Sequence, residues 1–152
     1  MKITDFDISN QAFVYAAIHL LANRLQTLGD RIDPTVSSKQ WFVLAVIFKF
    51  GKTPPNIGDV AGILGTSRQN IKKMAGILEK RGLLKLEKDK EDQRNVRLIL
   101  TDYCYEYLKS REPRENEYLE GIFSGMDEEN LSNLRNALGK LIENMTILLG
   151  DE

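Results

Sequence analysis

Phe13, Ala17, Leu20, Leu21, Leu25 and Leu28 recur every three or four positions, a spacing that predicts an amphipathic helix over residues 10–28. Gly29 stands where a helix-terminating glycine belongs, and Asp33-Pro34 marks a break in the chain. A second helix is expected over residues 38–50. Its run Trp41-Phe42-Val43-Leu44-Ala45-Val46-Ile47-Phe48 is apolar nearly all round, which places it at the centre of a core. Gly51 ends it, and Thr53-Pro54-Pro55 follows as a rigid loop.

Two short helices come next. Asn56 is a good N-cap and Asp59 sits in the first turn, where a carboxylate is favoured. Ile57, Val60, Ala61 and Leu64 form the buried stripe, and Gly65 stops the helix. Thr66-Ser67-Arg68-Gln69 then reads as a capping box, with Thr66 as N-cap and Gln69 as its partner. The helix it opens turns Ile71, Met74, Ala75 and Leu78 inward and ends at Lys80-Arg81-Gly82. Two such helices joined by a glycine-containing turn make a helix-turn-helix.

The period then changes from 3.6 to 2. Leu84 and Leu86 alternate with Lys85 and Glu87; Val96, Leu98 and Leu100 alternate with Arg97 and Ile99. The polar segment from Asp89 to Asn95 joins them, so a two-stranded hairpin follows the helix-turn-helix as a wing. Thr101 is placed to cap a fifth helix over about 102–123. Pro113 inside it predicts a kink near Arg111 or two shorter segments. Asp127 caps a last helix over 128–149, whose stripe includes Leu131, Leu134, Leu138, Leu141, Ile142, Met145, Leu148 and Leu149.

The expected class is mainly α with a small β-hairpin wing, in three parts: an N-terminal helix (1–34), a winged helix-turn-helix (35–101) and C-terminal helices (102–152). The first and last helices carry wide apolar stripes that must be buried somewhere. Packing against each other within one chain would bury part of them, and a second copy of the chain, meeting the first through a two-fold interface of these helices, is expected to bury the rest, a monomeric helical cap being the alternative.

Composition narrows the function. The 152 residues are 42% hydrophobic and 28% charged, ordinary for a globular chain. The longest apolar run, 41–48, is far short of a membrane span, and the first residues show no secretory pattern. A cytoplasmic location is expected. One cysteine, Cys104, excludes an internal disulfide framework, and one histidine, His19, argues against a zinc site; no cofactor is expected. The net charge is only −1, yet it is unevenly spread. Residues 66–97 hold ten basic against five acidic side chains, and residues 111–152 hold four against ten. The first region could meet phosphates; the second would avoid them.

Catalysis finds no support. Gly51-Lys52-Thr53 imitates the end of a phosphate-binding loop, but Val46 stands where its first glycine would be. His19 has no nucleophile signature nearby and is expected to be a satisfied or partly buried histidine. The recognition helix is different. A helix in the major groove needs long donors near its N-terminal end, and Arg68, Gln69, Lys72 and Lys73 supply them. Ser67 and Asn70 add phosphate or base contacts. Arg68 and Lys73 rank above Gln69, whose side chain a capping box would occupy. In the wing, Arg94 is the candidate for the minor groove and Lys90 for phosphates. Asp89 and Asp92 would hold the loop through its backbone or Arg94.

With these residues in view, the chain resembles the MarR family of bacterial transcriptional regulators along nearly its whole length. The segments that carry the likeness are Ile57 to Ile71, then Leu78-Glu79-Lys80-Arg81-Gly82-Leu83-Leu84, and finally Asp89-Lys90-Glu91-Asp92-Gln93-Arg94 followed by Leu98-Ile99-Leu100-Thr101. Glu91 replaces the first arginine of the family's Asp-x-Arg-Asp-x-Arg wing pattern, and Arg94 matches the second. The resemblance implies a homodimer with dimerisation helices at both ends. It would bind a pseudo-palindromic double-stranded DNA operator, usually as a repressor released by a small, often aromatic effector. Tyr15, His19, Trp41 and Phe42 are the residues expected near such an effector. Cys104 does not match the N-terminal cysteine of the oxidation-sensing members and is expected to be an inert buried thiol. A winged-helix module that assembles with proteins and reads no DNA is the alternative.

Overall fold

The computed structural model describes residues 3–89, 92 and 94–150. Among the described residues, a turn of 3-10 helix, Ile3–Asp5, precedes six α-helices and one hairpin: α1 (Asn10–Ile32), α2 (Ser38–Lys49), α3 (Ile57–Ile63), α4 (Arg68–Lys80), β1 (Leu84–Lys88), β2 (Val96–Leu100), α5 (Asp102–Ile122) and α6 (Glu128–Leu149). The chain divides into two compact units between Glu112 and Pro113. Among the described residues, no helix is long and apolar enough to cross a membrane.

In the first unit, α2, α3, α4 and the hairpin share one core. Val43, Leu44, Val60, Ile71, Ala75, Leu78 and Leu98 are sealed from solvent, and Cys104 joins them from α5. The inward positions Ile71, Ala75 and Leu78 of α4 are those the 3.6 period selects. The strands pair antiparallel, with Leu84 opposite Leu100 and Leu86 opposite Leu98. The loop before α3 adds to the sheet: Asn56 bridges Arg97, and the Leu98 N–H donates to the Pro55 carbonyl at 2.9 Å.

Local caps account for most helix boundaries. The Asn56 carboxamide oxygen accepts from the Gly58 and Asp59 N–H groups at 2.6 and 3.0 Å, while Asp59 accepts from the Asn56 N–H at 2.8 Å. Ser37 and Gln40 form the same reciprocal box at α2. Gly82, at φ +75°, takes the left-handed position after α4. Thr101 accepts from the Cys104 N–H to start α5 and donates to the Gly82 carbonyl at 2.6 Å, tying α5 to the end of α4.

Several expectations change. Gly29 does not end α1, which continues to Ile32. It is a contact glycine, buried where α2 begins: a Cβ there would lie 2.6 Å from the Ser38 hydroxyl oxygen. The α2 helix is buried on one side only, with Val43, Leu44, Val46 and Ile47 inside and Phe42 and Phe48 exposed. Pro113 does not split α5 into two helices; the break falls in packing, at the unit boundary.

The link between α1 and α5 runs through charge. Arg111 is only 7% exposed. Its Nη1 donates to the Tyr107 hydroxyl at 2.6 Å and reaches Asp33 Oδ2 at 3.4 Å, and Tyr107 donates to that same oxygen at 2.6 Å. The guanidinium also lies 5.7 Å from the Trp41 ring centre and 5.5 Å from that of Tyr107. Burial acts to raise the Asp33 carboxyl. Hydrogen bonds from the Thr35 hydroxyl, Tyr107 and the Thr35 and Val36 N–H groups outweigh it and hold the pKa at about 2. Burial pushes the Tyr107 hydroxyl well above its ordinary range.

In the second unit, Asp127 caps α6 by accepting from the Asn130 N–H at 2.8 Å. The α6 helix buries none of its residues; Leu134, Leu138, Ile142, Met145, Leu148 and Leu149 stay exposed.

Candidate nucleic-acid interface

The turn between α3 and α4 decides what α4 presents. Gly65, at φ +58°, reverses the chain, and Ser67 caps α4 by accepting from the Asn70 N–H at 3.2 Å. The cap is therefore Ser67, one residue later than the expected Thr66, and Gln69 is not its partner. Two hydroxyls in sequence competed for one role, and the third helical position went to Asn70. Thr66 is left to accept from the Asn70 side chain at 3.2 Å. This frees Gln69 for contact and engages Ser67 and Asn70, the reverse of the order expected.

Gln69, Asn70, Lys72 and Lys73 surround one open hollow at the start of α4. All four are exposed, while Ile71, between them in sequence, is sealed in the core. Arg68 is also exposed but leans back: a Cβ on Gly58 would meet its Nε and Nη2 at 3.3 Å. Its guanidinium thus lies against the first turn of α3. Of the expected contacts, four are gathered on one surface and Arg68 stands beside the helix that precedes it.

The hairpin turn is ordered by its acids. Asp89 Oδ1 accepts from the Asp92 N–H at 3.0 Å. Asp92 Oδ1 accepts from the Arg94 N–H at 3.0 Å and from its Nε at 3.2 Å. The Arg94 side chain is held at its base and is 93% exposed beyond it. Lys90 lies outside the described residues, as do Glu91 and Gln93. Arg97, an outward strand position by the period of 2, pairs with Asp89 and donates to the Pro54 carbonyl at 3.1 Å.

The four expected effector residues form two separate ring pairs. Tyr15 and His19 meet edge-on at 4.9 Å on α1, and Trp41 and Phe42 stack at 6.4 Å on α2. Among the described residues, no ring contact joins one pair to the other. His19 is exposed, not partly buried, and Tyr15 is 71% exposed. Of α1, Gly29 is buried and Phe13, Ala17 and Leu20 are half-buried. Trp41 Nε1 is the buried side-chain polar atom, among the described residues, that has no hydrogen-bond partner. The Cys104 thiol is fully buried, and burial raises it to about 11, far from a reactive thiolate. No cluster of potential metal ligands occurs among the described residues.

No protein-family model and no curated protein matches the sequence. Solved structures do match. A MarR protein from Peptoclostridium difficile is 22% identical with a TM-score of 0.79, covering 95% of this chain and 92% of its own. The MepR–DNA complex of S. aureus is 14% identical with a TM-score of 0.78, covering 91% and 99%. The organohalide-sensing regulator RdhR, in its 2,4-dichlorophenol-bound form, is 15% identical with a TM-score of 0.80, covering 93% and 85%. With TM-scores of 0.78–0.80 over most of each chain, this chain has the winged-helix fold of the MarR transcriptional regulators.

Proposed function

We propose that the chain is a MarR-family regulator that binds double-stranded DNA as a homodimer, with Ser67, Arg68, Gln69, Asn70, Lys72, Lys73, Lys90 and Arg94 at the DNA. The observation that carries this reading is the split of α4 into a sealed face and an open polar one. Ile71, Ala75 and Leu78 anchor the helix while Gln69, Asn70, Lys72 and Lys73 ring a hollow. Amide and ammonium donors on an anchored helix suit base edges and phosphates together. Arg94, extended from the wing, suits the narrow minor groove. One related fold is solved with DNA.

Dimerisation follows from unburied apolar surface. Val14, Ile18, Leu21, Leu25 and Leu28 lie open on α1, as do the α6 residues named above. Such faces need a partner in water, and a second copy supplies one for both. Two-fold symmetry would set the recognition helices about 34–36 Å apart, one DNA turn. The chain then acts as a cytoplasmic repressor without enzymatic activity, released by a small aromatic effector. A related fold binds 2,4-dichlorophenol, and here the unpaired Trp41 Nε1 offers a hydrogen-bond donor beside exposed Phe42, with Tyr15 and His19 on the neighbouring helix.

The test is selection of a duplex from random-sequence DNA, followed by titration across a salt series. Affinity should fall steeply with salt, with a slope set by the phosphates neutralised. A dimer that selects no duplex and shows no salt dependence would instead be a protein-assembly module. Sedimentation of the free protein checks the dimer itself.

A further inference from the structure

Two-stranded hairpins are marginal by themselves, so where a wing tip lies depends on what holds its base. Here side chains tie both strands: Glu79 on α4 accepts from the Leu86 N–H of β1 at 3.0 Å, and Arg97 ties β2 to the turn and to the loop entering α3. Arg97 on β2 pairs through Nε with Asp89 at the end of the hairpin turn, and its Nη1 donates to the Pro54 carbonyl in the loop entering α3. The neighbouring Leu98 N–H bonds the Pro55 carbonyl, and Asn56 bridges Arg97. Asp89 takes part twice, since its other oxygen holds the Asp92 N–H, and Asp92 in turn holds Arg94. A continuous chain of bonds therefore runs from the α3 entry loop, through Arg97 and Asp89, to the arginine at the wing tip.

We propose that Arg97 is a positioning residue for DNA binding: it latches the wing to the helix-turn-helix and so decides where Arg94 meets the duplex. This rests on the regulator reading above. Arg97 acts through Arg94 and does not itself need to touch DNA, because Asp89 already faces its charge. A planar guanidinium can hold a carboxylate and a carbonyl at once; an ammonium is a point charge and lacks that fork.

Two variants separate latch from electrostatics. Arg97→Lys keeps the charge and removes the fork. Asp89→Asn keeps an acceptor for the Asp92 N–H and removes a negative charge, which by electrostatics alone would tighten DNA binding. On the duplex selected by the wild-type protein, each variant is expected to weaken binding about fivefold and to lower the salt slope by about one, the same effect expected of Arg94→Ala. In an Arg94→Ala background each should change affinity by less than about twofold, the mark of one coupled unit. A uniform loss of folded protein would leave the slope unmoved. Tighter binding by Asp89→Asn, or losses that add to that of Arg94→Ala, would overturn the proposal. Without DNA, the latch is read by hydrogen exchange at the Leu98 amide. Both variants should speed it, and unchanged exchange would show that no latch exists. Should the wild-type protein select no duplex while the Leu98 amide does respond, the regulator reading is what fails, and the positioning role falls with it.

Discussion

Asp33→Asn tests the junction between α1 and α5. The substitution keeps the shape and an oxygen for the Thr35 and Val36 N–H groups, but it turns an amide toward Tyr107 and Arg111. The wild-type carboxyl sits at about 2, against an ordinary 3.8. At roughly 1.4 kcal/mol per pH unit this makes the ionised form worth somewhat over 2 kcal/mol, and screening at a side chain 14% exposed trims it to about 2 kcal/mol. Removing one member of a wholly buried pair costs about 3–5 kcal/mol; the partial exposure of Asp33 and the stacking of Arg111 on Trp41 and Tyr107 keep the present case at or below the bottom of that range. The expected loss is about 2–3 kcal/mol, or about 5–10 °C in Tm for a chain of this size. The pH dependence has a definite sign. A lowered folded pKa gives stability that is whole above about pH 5 and is lost as pH falls toward 2. Urea midpoints at one protein concentration, at pH 7, 5, 4 and 3, should therefore show the gap between wild type and variant closing by about half at pH 3. A gap that is absent at pH 7, or constant down to pH 3, would refute the assignment of Asp33 as the ionised partner.

Three further outcomes are expected. Lys73→Ala should weaken binding to a selected duplex and reduce the salt slope by about one; an unaltered titration would count against α4 as the docking helix. Gly29→Ala drives a methyl against Ser38 and should cost about 1–3 kcal/mol by overpacking, read as a lower urea midpoint with the same m-value. Cys104 should resist alkylation at pH 8 in the folded protein and react at once in denaturant, since its thiol is buried and titrates near 11. Rapid labelling of the native chain would contradict that burial.

Much of the architecture is written in short-range pattern. The inward face of α4, the hairpin register around Leu84, Leu86, Leu98 and Leu100, the Asn56 cap and the stops at Gly51, Gly65 and Gly82 each depend on residues a few positions apart. Periodicity and capping act over that distance, so they can be read without coordinates. The exposed donors Gln69, Asn70, Lys72 and Lys73 follow from the same logic, as the positions left over once the buried stripe is known. Even locally, adjacent equivalent groups can mislead: Thr66 and Ser67 both suit an N-cap, and a shift of one residue reassigned Gln69.

What pattern could not supply is partnership across the chain. Asp33 finds Tyr107 and Arg111, and Arg97 finds Pro54, only after the helices have docked, because nothing near any of these residues announces the other. The same holds for Gly29, which looks like a helix stop until the start of α2 packs on it, and for His19, whose exposure depends on which side of α1 is covered. Hydrophobic spacing determined which faces turn inward; packing then chose which polar groups met. A polar group's role is set by its partner, and partners are a property of the folded chain.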